Sequence, residues 1–140
     1  MKKLISLLFV LLFTTSVFGV EVKEKAEYEK EFDTPQSIKI AKLWVGENFK
    51  SGKDVISTYD EELNTLIGNG FYTEKGVLID LQYHFKFKIT VKENKVKIVF
   101  SDLAAGTKKV PISKNTSGLD KFYAKLDKLA ESLFEYYEDF

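Results

Sequence analysis

Cysteine and arginine are both absent from this chain, and histidine occurs once. Without cysteine there are no disulfides, no thiolate metal sites and no lipid attachment at a lipobox cysteine. Such a domain rests on its hydrophobic core alone. Without arginine there is no bidentate fork of the kind that usually clamps phosphates and carboxylates. All 21 basic residues are lysine, and they face 21 acids. A chain so balanced is a poor nonspecific binder of nucleic acid, which is held by neutralising phosphates. There is also no internal repeat and no low-complexity linker.

What is present begins with MKKLISLLFVLLFTTSVFG. Lys2 and Lys3 precede an apolar run from Leu4 to Phe13, and Val17 and Gly19 put small residues at the −3 and −1 positions of a cleavage site. This pattern predicts a secretory signal peptide over residues 1–19, to be excluded from the fold. The run is short of the roughly 20 apolar residues that span a bilayer. An uncleaved N-terminal anchor is the competing reading. Removal of Lys2 and Lys3 leaves 19 lysines against 21 acids, a net charge of −2. Val20 to Phe140 is then one domain, large enough for one core, located in the periplasm or beyond.

Along that domain, Ala26, Tyr28 and Phe32 form one face of an edge strand. Thr34 and Pro35 read as the cap and first position of a helix. Ile40, Ala41, Trp44 and Val45 continue it at helical spacing, and Ser51-Gly52 reads as its end. Lys53 to Tyr59 and Leu63 to Tyr72 read as two strands around Asp60-Glu61-Glu62. That loop sets Tyr59 opposite Leu63 and Val55 opposite Ile67, and leaves Ile56 and Leu66 on the other face. Val77 to Lys92 then alternates strictly: Val77, Ile79, Leu81, Tyr83, Phe85, Phe87, Ile89 and Val91 face one way, and polar residues face the other. A turn at Glu93-Asn94 pairs Val91 with Val96, Ile89 with Ile98 and Phe87 with Phe100. Residues 104–116 read as a loop, with Pro111 arguing against a central strand. Ser117 and Asp120 then open a long amphipathic helix in capping-box fashion. The order β-α-β-β-β-β-α predicts an α+β domain, an antiparallel sheet with two helices on one face and nothing evident covering the other.

The segment from Ala41 to Tyr72 also resembles a known family. Trp44, Asn48-Phe49, Lys53-Asp54-Val55-Ile56 and Ile67-Gly68-Asn69-Gly70 stand where domain-of-unknown-function family 4468, known chiefly from Bacteroidetes, has its tryptophan helix, strand opening and glycine-containing strand. Lys92-Glu93-Asn94-Lys95 stands for its hairpin, though without the usual glycine. The closing strand lacks an arginine associated with the family. The resemblance covers roughly Tyr28 to Leu103 and implies a TBP-like fold. It implies no activity, and the DNA binding of TBP does not come with the fold.

No catalytic constellation is evident. His84 lies on the polar side of its strand, and Asp80, four residues away, is about 13 Å distant along a strand, too far to orient it. It reads as a solvated histidine. Gly68-Asn69-Gly70 is followed by strand-like residues rather than a helix, so it reads as a bulge or bend and not as a phosphate loop. Asp60-Glu61-Glu62 lacks EF-hand spacing, and Asn115-Thr116-Ser117 is a lone triplet. No carboxylate pair sits in an apolar pocket, and no serine lies in a nucleophile elbow. No cofactor and no metal are expected. The polar face carries Lys86, Lys88, Thr90, Lys95 and Lys97, and Ile56, Leu66, Leu78 and Val99 are expected to add apolar surface. The reading is a non-catalytic binding or protein-interaction module whose open face uses Ile56, Leu66, His84, Lys86, Lys88 and Lys97. Its partner would be a protein, a small ligand or a second copy of the chain. The alternative is a carrier or enzyme with a pocket between the sheet and residues 104–116.

Overall fold

Alternation produces strands only where a partner strand accepts them. A computed structural model describes residues 22–49, 55–76 and 78–140. Residues 1–19, Ser51-Gly52, Lys53-Asp54 and Val77 lie outside them. The elements are β1 (Ala26–Glu31), α1 (Ile38–Asn48), β2 (Ile56–Asp60), β3 (Thr65–Glu74), β4 (Leu81–Lys92), β5 (Lys95–Ala105), β6 (Val110–Pro111) and α2 (Leu119–Asp139). The sheet is antiparallel with strand order β1-β5-β4-β3-β2, and β6 pairs with β5. β6 sits beyond the end of β1 on the same edge of β5. The protein is thus α+β, as its pattern predicts, with one further short strand.

The β4–β5 hairpin has the expected register: Val91 meets Val96, Ile89 meets Ile98 and Phe87 meets Phe100. Its turn manages without glycine because Glu93 takes the left-handed conformation (φ 56°). The chain before α1 holds that turn in place. Phe32 N–H donates to the Asn94 carbonyl (2.8 Å) and Gln36 N–H to the Glu93 carbonyl (2.9 Å).

Both helices lie on the face made by Tyr83, Phe85, Phe87, Ile89 and Val91, all buried. Trp44 is fully buried, and its indole donates to Ser132 Oγ (3.0 Å), joining α1 to α2. Tyr137 donates to the Ser37 carbonyl (2.7 Å) and ties the end of α2 to the start of α1. Tyr28 donates to Asp127 from the sheet to α2. Burial, and next the Asp127 acceptor, push its phenol well above the usual tyrosine range. Lys30 is buried among these apolar groups yet ends in an ion pair with Glu138; burial pushes its ammonium down. The long stem covers apolar surface while the charge reaches a partner at the rim.

Five expectations are corrected. Helix α1 is capped by Ser37, whose side chain accepts from Lys39 N–H (3.2 Å), so Thr34-Pro35 only approaches it. It ends at Asn48 because Phe49 turns extended and stacks on Phe87 (5.3 Å, 12°) inside the core. Helix α2 begins from Gly118 in the left-handed conformation (φ 71°) with no side-chain cap, and Ser117 instead offers its carbonyl to the Tyr83 hydroxyl. Strand β4 starts at Leu81, leaving Leu78 and Ile79 exposed in the connection from β3.

The fifth correction changes the candidate surface. Asp60 pairs with Thr65 and Tyr59 with Leu66, so the β2–β3 turn is Glu61 to Asn64 and the register lies three residues from the expected one. An odd shift exchanges the faces of a strand. Leu66 is therefore fully buried opposite Ile89, and Ile56 packs against the same core. Leu63 points into solvent at the turn. The bulge falls on β2, between Ile56 and Thr58, and not at Gly68-Asn69-Gly70. Those glycines pair regularly with Phe87 and Phe85, and they are needed for space. A Cβ on Gly68 would meet the Phe87 ring at 2.5 Å, and one on Gly70 the Phe85 ring at 2.6 Å.

Candidate functional site

Opposite the helices, the sheet presents its second set of side chains to solvent. On β1 these are Glu27, Glu29 and Glu31, which stand beside Val99, Lys97 and Lys95 of β5. The β4 neighbours of those three are Lys88, Thr90 and Lys92. Beyond them lie Thr65 and Ile67 of β3, then Asp60 and Thr58 of β2. An acidic stripe thus runs along one edge, and lysines occupy the next two strands. Lys97 uses one of the acids: its Nζ lies 3.7 Å from Glu27. Lys25, Lys86, Lys88 and Lys109 make no ion pair among the described residues.

A bulge shapes this surface. Between the His84–Ala104 and Lys86–Ser101 pairs, β5 carries one extra residue, and Asp102 takes the left-handed conformation (φ 50°). β1 covers the outer edge of β5 up to Phe100, and β6 covers it again from Ala104. The interval between them opens as a cleft of about 580 Å³. Asn69, His84, Lys86 and Ser101 form its floor; Lys25 and Lys109 stand among its walls. A trough of about 470 Å³ continues from it past Lys88 and Lys97, between Ile67 and Val99. Lys25, Lys86 and Ser101 border both.

His84 is less free than the sequence suggests. It is half-buried, and its ring stacks on exposed Phe71 (5.8 Å, 28°). Nε2 lies 3.1 Å from the Gly106 carbonyl, which assigns the proton of the neutral ring to Nε2. Burial pushes its pKa below the usual imidazole value, Lys109 pushes the same way, and the Gly106 hydrogen bond opposes them. The neutral ring therefore keeps Nδ1 as an acceptor near neutral pH.

Of the residues expected on this face, His84, Lys86, Lys88 and Lys97 are there together, whereas Ile56 and Leu66 are on the helix side. Ile67 and Phe71 take over the apolar role. The expected pocket against residues 104–116 and the open face turn out to share one cleft, since Lys109, Pro111 and Ile112 line it. A smaller hollow of about 350 Å³ between the start of β4 and Ser113–Ser117 has no charged residue in its lining. Sequence reasoning missed Lys25, Lys109 and Asp102. The two lysines stand in segments with no period to read, and Asp102 gave no sign of its conformation.

One antiparallel sheet with two helices on one face is the TBP-like architecture, and solved structures share it. A TBP-like protein from Parabacteroides distasonis matches with a TM-score of 0.59 at 14% identity, over 85% of this chain and 96% of that one. A DUF4468 family protein from Bacteroides ovatus matches with a TM-score of 0.50 at 20% identity, over 84% of this chain and 86% of the other. At such identities the likeness carries the fold, and no site passes with it. No family model and no curated protein matches the sequence.

Proposed function

We propose that the protein is an exported, non-catalytic binding module that holds a ligand or protein partner against its open sheet face. The observation that carries this is the lysine-lined trough. Lys86 and Lys88 are on the same side of one strand, which sets them about 7 Å apart. They make no ion pair among the described residues, and with Lys25 and Lys97 nearby and Glu27 as the acid in the lining, they make a net-positive, partly apolar channel. A solvated sheet face needs no such concentration of one sign. Export rests on the leader-like residues 1–19.

Amide chemical shifts of the Val20–Phe140 chain, titrated with an oligoglutamate peptide, test the binding half. Shifts confined to β4, β5 and the Lys109–Ile112 segment are expected, and Lys86→Glu with Lys88→Glu should remove them. Shifts spread evenly over the surface would remove the open face from consideration. The mass of the protein recovered from a bacterial periplasm tests the export half. A product starting at Val20 is expected, and one retaining Met1 in the cytoplasm would overturn it.

A second copy is one partner that fits. The Glu27, Glu29 and Glu31 stripe lies one strand away from the lysines, so two faces turned together could match acid to base. Light scattering across protein and salt concentrations reads this directly. A dimer should weaken with salt, and a strict monomer removes self-association.

A further inference from the structure

The cleft at the β5 bulge differs from the trough it joins. The trough is lined by four lysines and Glu27, with Ile67 and Val99 as its large apolar side chains. The cleft lining combines charged and apolar groups. Its charged side is supplied by Lys25, Lys86 and Lys109, with Asn69 and Ser101 as hydrogen-bonding groups in the same lining. Leu103, Pro111 and Ile112 add an apolar wall. Glu24 and Asp102 also border it, and with His84 neutral the lining carries one more cation than anion. Its volume of about 580 Å³ falls within the range of small-molecule clefts.

The backbone of this cleft is braced. Ile112 N–H donates to the Leu103 carbonyl (3.1 Å), Gly106 N–H to the Gln82 carbonyl (2.8 Å) and Lys109 N–H to the Gly106 carbonyl (3.0 Å). His84 adds its bond to Gly106 from the floor. Lys109 is therefore carried on a turn fixed to β4, and the apolar wall is fixed to β5. A ligand entering such a cleft meets walls already in place.

Building on the reading of the open face as a binding surface, we infer that this cleft takes a small amphipathic anion. Its carboxylate or phosphate lies among Lys25, Lys86 and Lys109, and its short apolar body lies against Leu103 and Ile112. Lysines suit this task. Each is a compact point charge with three donors, and several around one anion replace the fork that arginine would supply. An anion beside the neutral His84 ring also stabilises the imidazolium form, so binding raises the pKa of the chain's single histidine. The other charged groups around that ring are Lys86 on β4, Asp102 on β5, Lys109 on the β5–β6 turn, and Lys25 and Glu24 before β1.

The test titrates the Val20–Phe140 chain with hexanoate, hexyl phosphate, inorganic phosphate and hexanamide, following amide shifts and the His84 ring. Saturable shifts are expected at Asn69, Lys86, Ser101, Asp102 and Ile112 with hexanoate or hexyl phosphate. The tighter of the two identifies the charged group. Lys86→Ala and Lys109→Ala, both in solvent-facing positions, should each weaken binding about tenfold, the loss of one charge-assisted contact. The His84 pKa should rise in the bound state. Hexanamide binding as well as hexanoate would overturn the anion assignment. Inorganic phosphate binding as well as hexyl phosphate would overturn the apolar part. Should oligoglutamate still shift Lys88 and Lys97 while no alkyl anion enters the cleft, the inference falls and the binding face stands. Silence from every probe removes both.

Discussion

Leu66 and Ile67 are consecutive on β3 and chemically close, yet they live in different environments. Leu66 is fully buried opposite Ile89, beneath the helices. Ile67 lies opposite Lys88 and borders the open trough. One peptide unit separates a position where volume and polarity are fixed from one where both are negotiable. The comparison teaches that the sheet serves two tasks at once: its even-numbered β3 positions hold the fold together, and its odd-numbered ones are available for contact. The largest expected difference follows directly. Leu66→Ala should cost about 2–5 kcal/mol, the usual loss for a buried leucine, and Ile67→Ala well under half of that. Urea denaturation of the two variants measures both. Equal losses would mean that the open face is packed after all.

Glycines sharpen the same contrast. Gly70 and Asn69 are adjacent, but only Gly70 lies under an aromatic ring; its added Cβ would also meet Phe49 at 2.9 Å. Phe49 and Phe85 are themselves packed at 6.3 Å between centroids, so neither ring moves without the other. Gly70→Ala should therefore destabilise by about 1–3 kcal/mol through overpacking. Asn69→Ala, facing solvent, should stay within about 0.5 kcal/mol. Thermal melts compare them. A harmless Gly70→Ala would show that the rings retreat easily and that the glycines have another purpose.

A smaller effect separates two candidate caps. Ser37→Ala removes the hydroxyl that accepts from Lys39 N–H and should cost about 1 kcal/mol. Thr34→Ala removes no cap and should change stability by less than about 0.5 kcal/mol. The opposite ranking would restore the helix start that Thr34-Pro35 suggests.

These pairs also mark where the sequence was legible. Strand β4 was legible because its alternation runs unbroken from Leu81 to Lys92 and a two-residue turn leaves a single register for β5. The covered face and the lysines of the open face follow from that hairpin. β2 and β3 were not, because their turn length was free: Asn64 takes a left-handed conformation (φ 48°) that a three-residue loop did not anticipate. Leu66 and Ile67 are both apolar, so hydropathy could not choose between them. The missed signal was Gly68 and Gly70 on alternate positions. They leave room on one face for the large rings across the strand pair, and that face is the core. The cleft was least legible of all. It depends on a bulge at a non-glycine residue and on lysines brought together from residues 25, 86 and 109.

His84 offers the finest test of the contrast between faces, since it sits on the open side yet is half-buried. A single histidine gives a single imidazole titration in the free protein. The folded pKa should fall below the unfolded value of about 6.5. The sign for stability follows. In the window between the folded pKa and about 6.5, the unfolded chain binds more protons than the native one, so stability declines as pH drops through that window and levels off below it. His84→Gln keeps a polar side chain and should flatten this part of the curve. The effect is small because the ring is only partly buried. A ring titrating above 6.5 would place Glu24 or Asp102 rather than Lys109 as its dominant neighbour, and would reverse the slope. The cleft would then hold its own counter-ion, and the trough around Lys88 would be the better place for an anionic partner.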